Sequence, residues 1–69
     1  MEHTFTLNGE YIELYKLLKI LHLSSTGGHG KLLIEDGCVK RNGEVELRKR
    51  AKIIAGDIIE LDEYLIRVL

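Results

Sequence analysis

At 69 residues the chain can build one domain around one core, burying only about 60% of the surface its unfolded form exposes. An apolar share of 45% and a charged share of 30% fit a soluble globular protein and exclude a disordered class. No apolar run nears the ~20 residues a bilayer requires, and the net charge of −1, with a pI near 6.3, argues against a polyanionic partner until the charges are placed along the chain.

Those charges are segregated. Residues 1–30 balance at −1, residues 31–52 at +3 and residues 53–69 at −3. The middle stretch holds Lys31, Lys40, Arg41, Arg48, Lys49, Arg50 and Lys52. Such a split acts on a partner only if the fold keeps it split in space. A lone cysteine, Cys38, excludes an internal disulfide framework. The start lacks the charged and then apolar pattern of a signal peptide, so the expected location is the cytoplasm.

Residues 3–7 alternate, with Phe5 and Leu7 on one side, and predict a short strand ending at Asn8-Gly9. Residues 11–21 carry Tyr11, Leu14, Leu18 and Leu21 at helical spacing, with acids early and Lys16 and Lys19 late, as the helix dipole favours. Asn8 is the expected N-cap. After a connector over residues 22–25, residues 26–37 predict a shorter helix capped by Ser25 or Thr26 and stopped by Gly37 in the left-handed conformation. Gly27, Gly28 and Gly30 each weaken its start by about 1 kcal/mol relative to alanine. Close approach of the first helix, or of a ligand backbone, must therefore favour glycine there.

From Cys38 onward the pattern is that of strands. Residues 38–41 lead into Asn42-Gly43, the strongest short-range hairpin signal, and out through residues 44–46. Residues 47–52 form a basic connector and Ile53-Ile54 opens a strand. Ala55-Gly56-Asp57 turns into residues 58–61, and Asp62-Glu63 turns into residues 64–69, a strand able to pair with the N-terminal one. The order β-α-α-β-β-β-β predicts an α+β fold. Two packed helices lie against a small, mostly antiparallel sheet of four to five strands, in one domain over residues 1–69.

The candidate sites are few. Gly30-Lys31 matches the glycine-lysine step of a phosphate-binding loop, but Ser25 stands at the leading glycine and Leu32 where a magnesium-binding hydroxyl belongs. The glycines read instead as a close helix contact, with an anion site at the helix start as the alternative. Arg48-Lys49-Arg50 with Lys52 returns from a tight hairpin whose incoming strand carries Lys40 and Arg41, and a helix packed over it would add Lys31. This cluster can contact several phosphates at once. His29, near a helix start, could contact phosphate or base. His3, His22, His29 and Cys38 fit no zinc spacing, and Cys38 is expected to face inward as a small hydrophobe. No catalytic set, metal or cofactor is expected. Tyr11 and Tyr15, one turn apart, are placed at the core or its edge, with no stacking platform for bases.

In its order of Leu33-Ile34, Gly37, Val39, Asn42-Gly43 and Gly56-Asp57-Ile58-Ile59, the chain resembles the S-four-type RNA-binding domain, also called the αL fold. It is most similar to the short stand-alone bacterial members, through residues 26–31 and the basic tract at residues 48–52. The resemblance implies a protein that binds structured RNA, ribosomal or tRNA-like, through the second helix and the following hairpin. It implies that Lys31, Lys40, Arg41, Arg48, Lys49, Arg50 and Lys52 face that RNA. Two positions depart from the wider family: Tyr11-Ile12-Glu13 stands where an arginine usually opens the first helix, and Thr26-Gly27 where Ser-Arg usually opens the second. The expectation is a monomer that binds without catalysis. The rivals are a module docking an acidic protein through the same patch and a nucleotide-binding protein using the glycine-rich turn.

Overall fold

Alternation at the N-terminus places His3 and Phe5 inward, and the strand they form finds its partner at the other end of the chain. The computed structural model describes residues 1–69. Strand β1 (Glu2–Phe5) runs parallel to β7 (Tyr64–Val68), with Glu2 opposite Leu65 and Phe5 opposite Val68. The contact continues past the strand, where the Leu7 N–H donates to the Leu69 carbonyl at 2.8 Å.

The first helix starts later than its apolar spacing predicts. Ile12 and Glu13 are extended as β2 (Ile12–Glu13), paired antiparallel with β5 (Lys52–Ile53) in a separate two-stranded sheet. Helix α1 therefore spans only Leu14–Ile20, and Asn8 does not cap it. Its N-cap residue, Glu13, makes no side-chain cap. Instead the Leu14 N–H donates to the Ala51 carbonyl at 3.0 Å and the Tyr15 N–H to the Lys49 carbonyl at 3.1 Å. Two of the donors orphaned at a helix start are thus satisfied by the basic connector. Leu14, Leu17 and Leu18 are fully buried.

Helix α2 (Gly27–Glu35) has both predicted ends. Thr26 Oγ1 accepts from the His29 N–H at 3.0 Å. At the other end Gly37 is left-handed (φ +81°), the Gly37 N–H bonds the Ile34 carbonyl and the Cys38 N–H the Leu33 carbonyl, a Schellman close. Of the three glycines, Gly30 is the one that the close helix contact requires. A Cβ at Gly30 would lie 3.1 Å from Ser24 Oγ and 3.3 Å from the Tyr15 carbonyl oxygen.

The main sheet has the order β1-β7-β6-β3-β4, where β3 is Val39–Arg41, β4 Glu44–Val45 and β6 Ile58–Leu61. Every pairing but β1–β7 is antiparallel. Val39, Ile59, Leu61, Ile66 and Val68 face the helices and complete the core with Ile34, Ala51 and Ile53. Cys38 lies just before β3 and is exposed, contrary to its expected inward placement. The Schellman close ends the helix there, so inward alternation begins one residue later, at Val39.

One buried carboxylate ties the hairpin to the return strands. Asn42 (φ 52°) and Gly43 (φ 87°) form the predicted two-residue turn. Asp57 Oδ2 accepts from Arg41 Nη2 at 2.8 Å, Arg41 Nε at 3.1 Å and the Ile54 N–H at 2.9 Å, while Oδ1 accepts from Asn42 Nδ2 at 3.0 Å. Asn42 Oδ1 in turn accepts from the Ile58 N–H, and Arg41 Nη2 also donates to the Lys52 carbonyl. Burial by itself would raise the Asp57 pKa. The Ile54 N–H, the Asn42 amide and the Arg41 guanidinium outweigh it and hold the carboxyl below its ordinary value.

Because Asp57 titrates lower folded than unfolded, its contribution is complete above the unfolded value of about 3.9 and is lost as pH falls through the folded one. Asp57→Asn should lower stability by about 3 kcal/mol, read as a fall in the urea midpoint, and should flatten the acid limb of a stability–pH profile. A wild-type midpoint in this variant would show that the carboxylate does not hold the turn. At the helix contact, Gly30→Ala should lose about 1–3 kcal/mol by overpacking, whereas Gly28→Ala, whose Cβ meets only Thr26 Oγ1 at 3.8 Å, should gain up to about 1 kcal/mol.

Candidate nucleic-acid interface

The basic connector is held against α1 by its own backbone. Besides the two carbonyls that receive α1 donors, the Ala51 N–H bonds the Arg48 carbonyl and Ala51 is buried. Residues 48–52 therefore leave their long side chains outward while the main chain is fixed. Arg48, Arg50 and Lys52 line one shallow groove of about 390 Å³, floored by Arg41 and Ala51.

From that groove the positive surface continues across Glu13. Lys16 Nζ lies 3.0 Å from Glu13 Oε1 and Arg50 Nε 3.8 Å from Oε2. The hydrogen bond from Lys16 chiefly, helped by the charges of Lys16, Arg50 and Lys31, holds the Glu13 carboxyl below its ordinary value against the opposing effect of burial. Lys16 is raised by the same bond. Lys31 Nζ stands 4.7 Å from the centre of the Tyr15 ring and Lys52 Nζ 5.1 Å from that of Tyr11. Both are cation–π contacts that orient ammonium groups without neutralising them. Three cations, Lys16, Arg50 and Lys31, thus act on one partly buried carboxylate, and Lys52 stands opposite it across the β2–β5 ladder.

The remaining expected residues lie elsewhere or are engaged. Arg41 is committed to Asp57 and lies 3.7 Å from Glu46, with its side chain only 22% exposed, so it braces the hairpin. Arg48 is paired with Glu46 through two hydrogen bonds of 3.1 Å, and its remaining surface lines the groove. Lys49 reaches Glu35 at 3.8 Å. His29 accepts the Ser25 N–H on Nδ1 at 3.1 Å, which leaves Nε2 as its outward donor. Lys40 lies apart from the other cations. It alternates with the inward Val39 and Arg41, and stands opposite Glu60 on the outer face of the sheet, beside Asp62 and Cys38. The hairpin brings Lys40 and Arg41 close along the strand but on opposite faces.

The charge pattern along the chain does not mark Lys16, and helical spacing places Tyr11 at the core or its edge. The structure gives Tyr11 46% exposure, because β2 lifts it off the helix. Only the i, i+3 spacing of Glu13 and Lys16 signalled their pairing in the sequence. The approach of both to Arg50 depends on the β2–β5 ladder. The acidic C-terminal stretch falls away from these cations: Asp57 is buried, and Glu60 and Asp62 sit with Lys40. No helix is long and apolar enough to cross a membrane.

Known proteins share this fold. A family model described as the S4 domain matches residues 5–69. "Putative RNA-binding protein YbcJ" of Escherichia coli (strain K12) is 39% identical over 67 residues, covering 96% of both chains, and "Uncharacterized protein YbcJ" of Shigella flexneri matches equally. The solution structure of YbcJ from E. coli, described as revealing an αL motif involved in RNA-binding, superposes with a TM-score of 0.73 over 96% of this chain and 85% of that one. The Val39, Asn42-Gly43 and Gly56-Asp57 pattern, the two helices on a mixed sheet and these matches agree: the chain belongs to the S4 domain family.

Proposed function

We propose that the protein binds structured RNA, ribosomal or tRNA-like, as a cytoplasmic monomer and acts by binding alone. The surface is formed by Lys16, Lys31, Arg48, Arg50 and Lys52, with Lys49 and His29 at its margin. The observation that carries this reading is the docking of residues 48–52 onto the start of α1, which gathers cations from three separate stretches of a chain whose net charge is negative. Family membership and the RNA-binding described for YbcJ support RNA over other polyanions. Duplex RNA is recognised mostly through its phosphates and minor-groove shape, which suits a surface of outward-pointing cations. Glu13 at its centre tempers the attraction and orients Lys16 and Arg50.

Titration of defined RNA hairpins over a range of salt concentrations tests the reading. Log affinity should fall linearly with log salt, and Lys16/Lys31/Arg50→Ala should make that slope shallower by about 0.7–0.9 for each phosphate contact removed. Lys40→Ala, on the opposite face, should leave it unchanged. Salt-insensitive or absent RNA binding, with an acidic protein captured through the same residues, would refute the proposal. Removing the central acid works in the other direction. Glu13→Gln should tighten RNA binding about two- to fivefold at low salt, an effect that fades as salt is raised.

A further inference from the structure

One groove adjoins the surface just described and shares Lys16 with it. It runs between α1 and the start of α2, has a volume of about 470 Å³ and is lined by Tyr15, Lys16, Lys19, Ile20, His22 and Gly27. Its floor is more apolar than that of any other groove in the molecule. Ile20 is 53% exposed there, an isoleucine on a helix that no part of the chain covers. Tyr15 is half-buried against the core, so its ring is held in place. A Cβ on Gly27 would lie 3.8 Å from two carbons of that ring, and glycine leaves this approach open.

The rim carries charge of one sign. Lys16 and Lys19 line the groove and no acidic side chain does; Lys31, just outside the lining, holds its ammonium group 4.7 Å from the Tyr15 ring centre, and Lys16, which also pairs with Glu13 outside the groove, holds its own at 5.9 Å. An aromatic and an aliphatic floor beside ammonium groups suits a flat apolar group joined to an anion, the chemistry of a nucleotide. The volume falls within the range of pockets that take one small molecule and is short for a peptide segment. A paired base inside a duplex cannot reach it; a bulged or looped-out one can. Lys16 and Lys31 also belong to the RNA surface, so the groove continues that surface over the edge of α1.

We infer that this groove holds one unpaired nucleotide of the bound RNA, its base against Tyr15 and Ile20 and its phosphate among Lys16, Lys19 and Lys31. This rests on the RNA-binding reading and adds the kind of RNA preferred: a helix with an extruded base.

Three RNAs separate the two levels: a fully paired duplex, the same duplex with one bulged adenosine, and that bulge made abasic. The wild-type protein should bind the bulged duplex roughly tenfold more tightly than the paired one, the lower range for stacking one base on an aromatic ring, and the abasic bulge should return to the paired level. Gly27→Leu fills the groove from an ordinary contact distance and should abolish the preference while leaving paired-duplex affinity and its salt slope intact. Lys19→Ala, an exposed change that cannot disturb folding, should reduce the preference about threefold. Equal affinity for all three RNAs with the salt slope retained overturns the groove and keeps the RNA surface. So does a bulge preference that both variants leave untouched. Binding of a glutamate-rich peptide that Gly27→Leu blocks, without any bulge preference, assigns the groove to a protein and overturns the inference. Loss of salt-dependent binding to all three RNAs removes the underlying surface and the groove with it.

Discussion

The Asp57 carboxylate is the interaction on which the rest of the structure depends. It is buried, yet it accepts hydrogen bonds from a main-chain N–H, an amide and a guanidinium contributed by two different turns. A charge so placed is tolerated only because its lone pairs are filled. The consequence is geometric. With Arg41 and Asn42 locked to Asp57, the hairpin of β3 and β4 cannot swing relative to β6, and the chain leaving β4 is aimed back toward α1. The Arg41 bond to the Lys52 carbonyl extends the same restraint to β5.

That aim explains the placement of the basic connector. Its carbonyls at Lys49 and Ala51 stand in for a side-chain cap on α1, a short helix with a weak start of its own. Because the main chain of residues 48–52 is consumed in this contact, its arginines and lysines extend outward into solvent. Capping α1 and presenting cations are two results of one docking event. Glycine at position 30 does comparable work on the other side, letting the α2 backbone approach Ser24 and the Tyr15 carbonyl closely enough to bring Lys31 over the Tyr15 ring.

Electrostatics then follows topology rather than composition. The alternating pleat of β3 sends Lys40 to the acidic outer face and Arg41 to the carboxylate, so neighbours in sequence enter opposite environments. The surface that remains positive draws on α1, α2 and the connector together. It is larger on the α1 side than the charge run at residues 48–52 suggests, because Lys16 joins it across Glu13.

What the amino-acid sequence determined by itself was local. Thr26 as a cap, Gly37 as a left-handed stop, Asn42-Gly43 as a tight turn and the leucine face of the first helix all follow from hydrogen-bonding groups, allowed backbone angles and spacing within a few residues. The family pattern likewise lay in short pieces whose order could be read directly. Tertiary structure decided the features that require two distant segments to meet. Residues 11–13 have helical spacing, but pairing of Ile12 with Ile53 takes them into a strand and exposes Tyr11. Asp57 looked like a turn residue, and only the fold shows it as the buried anchor of Arg41. The positive surface was visible as a charge imbalance, yet its arrangement depends on strand faces and on two main-chain contacts between segments distant in sequence, Leu14 with the Ala51 carbonyl and Tyr15 with the Lys49 carbonyl. Contacts of that kind carry little local signal, because the free energy that selects them belongs to the assembled core.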